Sequence, residues 1–454
     1  MVGATGAGVN RTAARPAARR RRVDRAAASR AGGGVNWVGE PAGGRRRRAY
    51  RKVASLAKVI ERRYGALGVP VDVVLPGGER VRLSAHPEAE VAARSLRGLR
   101  ALARPALGRL ARAYVHGDID FSGSARRILG IAERMVGGVR HGGASLPERV
   151  GSWLHQRRSN RANVTHHYDV GDAFYRLWLD EQLVYSCAYF RRDDDPLELA
   201  QRQKLDHVCR KLRLAAGERF LDIGCGWGAL ILWAAERYGV QATGITLSRN
   251  QADHVAGEIR RRGLEGRVRV ELRDYLDLPD EPCFEKIASI GMFEHVGVAR
   301  FPRYFGKIRR LLVPGGLVLN HGITHGTEGI GGLGSGISEF VEEYVFPGGE
   351  LAHVARVISA MSAEGLEAVD AESLRPHYAK TLWQWTERLE ANADAARREV
   401  GEERFRVWRI YMAGSAHAFE RGWLSVWQLL AGKPLADGAL PRPLTRDYMY
   451  GGAS

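Results

Sequence analysis

The sequence is poor in cysteine, short of long apolar runs and nearly devoid of acidic residues at its N-terminus, and each shortage removes a class of protein. Only Cys187, Cys209, Cys225 and Cys283 occur in 454 residues. They form no C-x-x-C pair and no His/Cys cluster at zinc-ligand spacing, which argues against a disulfide framework or a structural metal and fits reduced thiols in a cytosol. No stretch approaches the ~18–20 apolar residues that span a bilayer, and no apolar segment follows the basic N-terminus as in a secretory signal. Any work on membranes must be done from their surface. An Arg-rich, acid-poor tail also imitates an organellar transit peptide.

What is present is ample apolar material: 45% hydrophobic residues with 10 Trp, 15 Tyr and 12 Phe, which excludes a mostly disordered chain. The length suits a large catalytic domain with a smaller partner. The net charge of +18 is uneven, because residues 1–60 hold 15 Lys or Arg against only Asp24 and Glu40. Such a tail suits nucleic acid or an anionic membrane surface, or simply keeps the chain soluble; charge alone does not choose among the three.

Composition divides the chain. Residues 1–48, rich in Ala, Arg and Gly, cannot offset the entropy of ordering and are expected to be disordered. Residues 49–136 read as a small α+β domain, with a hairpin in VDVVLPGGERVRL around Pro76 to Gly78. Residues 137–163 read as a Gly-rich, polar linker. From 164 to 454 strands and helices alternate: FLDIG, QATGITL, VRVELRDY, KIASIGM and LVLNHGIT predict five strands of a parallel, doubly wound sheet. Two long helices are expected over 378–399 and 403–421, followed by a strand in LSVWQLLAG. No internal repeat is apparent.

LDIGCGWG, residues 221–228, sets Gly224, Gly226 and Gly228 where a strand becomes a helix, allowing close backbone approach to a ligand at a helix N-terminus. By itself this is also an ordinary tight turn. A dinucleotide fold would prefer G-x-G-x-x-G and an acid at the tip of the second strand, but Thr246, Leu247 and Ser248 stand there. With Asp222 beneath the turn and Asp274 ending the third strand, the pattern looks like the S-adenosylmethionine site of class I methyltransferases, a Rossmann-like fold. The bland reading of Asp274 is a helix cap or a solvated acid.

Eight motifs in order then resemble the cyclopropane-fatty-acyl-phospholipid synthases and, more distantly, the mycolic acid cyclopropane synthases: HYDVGDAFYRLWLD, YSCAYF, LDIGCGWG, GITLSRNQ, SIGMFEHVG, LNHGI, VFPGGEL and HYAKTLWQWTERL. The resemblance is dense over 160–434 and looser in the N-terminal domain. It implies S-adenosylmethionine binding by Tyr185, Ser186, Asp222, the three glycines, Thr246, Leu247, Ser248, Gln251, Asp274 and Tyr275. It also implies a bicarbonate ion held by Cys187, Glu294, His321, Ile323 and Tyr378. Asp172 stands where the family often has Asn, and Ser415 replaces a cysteine of some relatives and is given no role.

The chemistry implied is attack of an alkene on a sulfonium methyl, then proton loss from the new methyl to a nearby base as the ring closes. Bicarbonate between Glu294, His321 and Tyr378 serves as that base, and Cys187 lines the site without acting as a nucleophile. Without the family motifs, Glu294 and His295 read as a polar helix cap and His321 as a core histidine. Tyr168, Phe174, Tyr189 and Phe190 could face a cation, but each reads more simply as core. The expected activity is cyclopropane-fatty-acyl-phospholipid synthesis in membrane phospholipid, by a cytoplasmic enzyme peripheral to the inner membrane surface. The alternative is an S-adenosylmethionine-dependent fatty acyl C-methyltransferase giving methylene- or methyl-branched chains. A nucleic-acid substrate is disfavoured, because SIGMFEHVG replaces an N-P-P-Y or P-C motif after the fourth strand. A non-catalytic lipid-binding relative is disfavoured by the intact Glu294, His321 and Tyr378 set. A homodimer is implied by the family alone.

Overall fold

A computed structural model describes residues 44–137, 171–327, 336–345 and 350–450. The disorder expected of the first residues, most of the linker and Tyr168 lie outside that description. The helix Gly44–Tyr64 takes in the second arginine cluster, Arg45 to Arg48. It covers a four-stranded sheet ordered β2-β1-β3-β4, with β1 at Val71–Val74, β2 at Arg80–Arg82, β3 at Ala89–Ala93 and β4 at Ile119–Phe121. β1 and β2 form the expected hairpin, and β1 also pairs parallel with β3.

The larger sheet contains β5 (Arg219–Ile223), β6 (Gln241–Thr246), β7 (Val268–Leu272), β8 (Phe284–Ile290), β9 (Leu312–His325), β10 (Glu367–Ser373) and β11 (Leu424–Gly432). Their order is β10-β11-β9-β8-β5-β6-β7. β5 to β9 run parallel, and β11 is antiparallel to both β9 and β10. Parallel strands in a doubly wound sheet are buried on both faces. Phe220, Leu319 and Leu430 accordingly pack under helices Leu197–Lys211, Ala229–Tyr238 and Arg249–Arg262. Leu221, Ile223, Val318 and Leu429 pack under Phe301–Leu311 and Val354–Ala363.

Sequence reading missed β3 and β4 of the small sheet and, in the larger sheet, β10. The EAVDAES of β10 alternates without an apolar face, since it sits at the sheet edge and its acids, Asp370 and Glu372, are satisfied by Lys211. The two long helices are Arg375–Ala391 and Ala393–Glu420, and the break expected between 399 and 403 falls at Gly401, whose φ of 80° interrupts the second. That second helix clamps the N-terminal domain: Arg409 donates to the Tyr114 hydroxyl at 3.0 Å and to the Gly123 carbonyl at 2.8 Å, and Arg406 donates to the Tyr114 carbonyl at 2.8 Å.

Candidate active site

In a doubly wound sheet a ligand crevice opens at the carboxyl ends where strand order reverses, here between β5 and β8. Gly224, Gly226 and Gly228 have φ of 81°, 54° and 84°. A side chain on Gly228 would also meet Val255 at 2.8 Å, so this turn admits no other residue without rearrangement. Trp227, within the turn, donates to Asp172 Oδ1 at 3.0 Å and packs its ring on Tyr175 at 4.9 Å. The turn is thereby locked to the segment carrying Tyr185 and Ser186.

That segment is held from beneath. Gln201 Nε2 donates to the carbonyls of Val184 (3.3 Å) and Ser186 (2.9 Å), and Lys204 Nζ donates to Ser186 Oγ at 2.9 Å. Tyr185 is walled by Trp178 at 5.5 Å and Trp385 at 5.4 Å. Gln201, Lys204 and Trp227 escaped sequence assignment. The available signal was two polar residues three apart on a helix face otherwise made of Leu197, Ala200, Leu205 and Val208.

Asp222 is buried, and its Oδ1 has no partner among the described residues. Burial pushes its carboxyl up to about 7 despite the opposing Lys204, while burial lowers Lys204 to about 8 against the pull of Asp180, Cys187 and Asp222. An orphaned buried acceptor beneath the glycine turn fits a ligand that donates hydrogen bonds. Thr246 Oγ1 donates to Gln251 Oε1 at 2.8 Å and accepts from the Ser248 amide. Ser248 caps the following helix. Leu247 lies between these two polar residues. Asp274 does cap a turn, accepting from the Leu276 amide at 3.0 Å, so the bland reading holds for Oδ1. Tyr275 stands edge-on to Tyr304. A ligand hydrogen bond to the orphaned Asp222 oxygen predicts that Asp222→Ala weakens S-adenosylmethionine binding by about 10- to 100-fold, measured by calorimetry.

The five residues implied to hold the anion are drawn together by a chain of backbone contacts. Glu294 Oε1 accepts from the Ile323 amide at 2.8 Å, and Ile323 pairs with Val426. Leu374 donates to the Val426 carbonyl, and the Leu374 carbonyl accepts from the Tyr378 amide at 3.0 Å. The Cys187 thiol lies 3.8 Å from that same carbonyl. His321 precedes Ile323 by two residues on β9. The Ile323 amide is thus spent on Glu294, and Ile323 acts by fixing that carboxyl.

Glu294 Oε2 is sealed from solvent without a partner among the described residues, and burial raises the carboxyl to about 7. Burial lowers His321 to about 3, with Lys204 and Lys211 adding to the effect, and lowers His295 to about 4. Cys187 is fully buried with its thiol pushed well up, and it donates to the Ala188 carbonyl at 3.2 Å. A thiol so protonated is a poor nucleophile. Phe174 and Phe190 are buried core, and Tyr189 stacks between His207 and His377.

Strand order, glycine turn and orphaned Asp222 together define a class I S-adenosylmethionine-dependent methyltransferase. Residues 155–429 match the family described as mycolic acid cyclopropane synthetase, and the chain belongs to that family. It is 40% identical over 385 residues to the Probable fatty acid methyltransferase of Pseudomonas putida, covering 85% of this chain and 97% of that one. Identity to cyclopropane mycolic acid synthase 1 of Mycobacterium tuberculosis is 41% over 281 residues, covering 60% of this chain and 97% of that one. The solved structure of mycolic acid cyclopropane synthase CmaA1 complexed with SAH and CTAB matches with a TM-score of 0.57 at 38% identity, over 61% of this chain and 99% of that one.

Proposed function

We propose that the protein methylates the double bond of an unsaturated fatty acyl chain, giving a methylene-branched product by proton loss, or a methyl-branched one where a separate hydride donor reduces it. The relative that spans 85% of the chain carries the name Probable fatty acid methyltransferase, whereas the cyclopropane synthase spans 60%, so the fatty acyl methyltransferase reading takes precedence over ring formation. Ring closure remains the second reading. It is favoured by the 41% identity to that synthase and by the full set of Cys187, Glu294, His321, Ile323 and Tyr378.

When bound, S-adenosylmethionine supplies an electrophilic methyl on a sulfonium, and bicarbonate would supply a base. The chain's own residues do the rest. Trp178, Tyr185, Trp385 and Trp408 pack ring against ring in a buried aromatic cluster, which would help keep water from a carbocation that water would trap. Glu294 Oε2, sealed from solvent without a partner among the described residues, is the observation that carries the proposal: a carboxylate there would take a proton, and proton removal is common to the ring and the methylene product. Cys187, Glu294, His321 and Tyr378 would border the ion.

The test is incubation of the protein with S-adenosylmethionine, bicarbonate and vesicles of mono-unsaturated phospholipid, followed by mass analysis of the fatty acids before and after mild hydrogenation. A gain of one CH₂ that hydrogenates to a branched chain supports the first reading. A gain that survives as a ring supports the second, and no lipid product refutes both.

An acyl chain lies beneath the lipid headgroups, so the enzyme must dock on the membrane. The basic tail, continued by exposed Arg48, Lys52, Lys58, Arg62 and Arg63 on the first helix, suits an anionic leaflet, each cation being worth ~1 kcal/mol near the surface. Removal of residues 1–48 should weaken sedimentation with anionic vesicles at low salt and have little effect at high salt. Unchanged binding at low salt would reject the docking role.

A further inference from the structure

Three side chains stand in one row across the sheet: His321 on β9 faces Gln428 on β11, which faces Glu372 on β10. Neighbours in register share a face, here the one covered by helix Leu197–Lys211. Gln428 is fully buried and His321 nearly so. The Gln428 Nε2 amide lies 3.2 Å from His321 Nδ1. An amide nitrogen only donates, so Nδ1 accepts and carries no proton. A neutral imidazole then bears its proton on Nε2.

The charged groups around this ring agree with a neutral histidine. Lys204, Lys211 and His207 from the covering helix disfavour a further positive charge, and Glu372 opposes them. Glu372 is already engaged by Lys211 at 2.6 Å and His207 at 2.7 Å. Gln428 therefore separates His321 from a carboxylate that would otherwise pair with it. The Gln428 carbonyl oxygen is buried without a partner among the described residues, a cost that a leucine at this position would avoid.

We infer that Gln428 is a positioning residue that fixes His321 as its Nε2–H tautomer, making the histidine a hydrogen-bond donor to the active-site anion and leaving Glu294 as the protein's proton acceptor. This rests on the proposed placement of His321 and Glu294 in the reaction, but the tautomer itself can be read without turnover.

The experiment is nitrogen NMR of the full chain with labelled histidine, His321 being assigned by its loss in His321→Gln. The expected result is an unprotonated Nδ1 and a protonated Nε2. A protonated Nδ1 overturns the inference whatever the enzyme makes. In Gln428→Leu, kcat should fall about tenfold or more with the KM for S-adenosylmethionine unchanged, as when an orienting partner is lost. In Gln428→Glu, a carboxylate beside Nδ1 should raise the basicity of His321 and add a new limb to the pH profile of kcat. Folded Gln428→Leu with wild-type kcat and pH profile would also overturn it. If the wild type shows the expected tautomer but yields no lipid product, the functional reading has failed and the positioning by Gln428 stands.

Discussion

Glu294→Gln should reduce lipid product by about 10²- to 10⁴-fold, the range for loss of a general base, while S-adenosylmethionine binding and the circular dichroism spectrum are preserved. The amide can still accept from the Ile323 amide through its carbonyl, so the contact at 2.8 Å survives and the proton acceptor alone is lost. With burial holding the wild-type carboxyl at about 7, kcat should rise with pH and level off above neutrality, because the carboxylate is the form that accepts. Stability runs the other way. The folded chain retains this proton up to about pH 7, whereas the unfolded chain releases it near 4.5. The stabilising contribution is therefore complete below 4.5 and falls as pH climbs through 7. Denaturant titrations of Glu294→Gln across that window should show a flatter pH dependence than wild type. A variant with near-normal turnover would remove Glu294 from the reaction.

The second large effect is expected at Gly322, between His321 and Ile323 on β9. A Cβ there would lie 1.9 Å from Phe293 Cε1 and 3.0 Å from Glu294 Oε1. Phe293 is only 2% exposed and cannot swing outward, so Gly322→Ala must push the Phe293–His295 turn away from the strand. The expected outcome is a loss of about 1–3 kcal/mol in stability from overpacking, with a drop in turnover approaching that of Glu294→Gln. Thermal melts and the vesicle assay measure the two parts. Retained activity would mean that the Glu294 carboxyl need not be held against β9.

Sequence reading found the glycine turn and the five parallel strands, because each carries a local signature: an apolar run, and for the turn an apolar run ending in glycines. It passed over β10, whose half-exposed edge leaves no apolar alternation, and extended the first long helix past its end at Asn392. Asp274 caps a turn through Oδ1, a role that spacing could not tell from ligand contact because both draw on the same carboxylate.

The amino-acid order alone determined that this chain folds as a doubly wound sheet with a turn suited to S-adenosylmethionine, since backbone conformation and apolar periodicity are properties of neighbouring residues. It equally determined the uneven charge that suits an anionic surface. Only the tertiary structure decided that Lys204 and Gln201 hold the Ser186 segment, that the Ile323 amide serves Glu294, and that Gln428 meets His321 at 3.2 Å. Those contacts join residues far apart in the chain, and strand register and burial set both their distances and the protonation of the groups that meet.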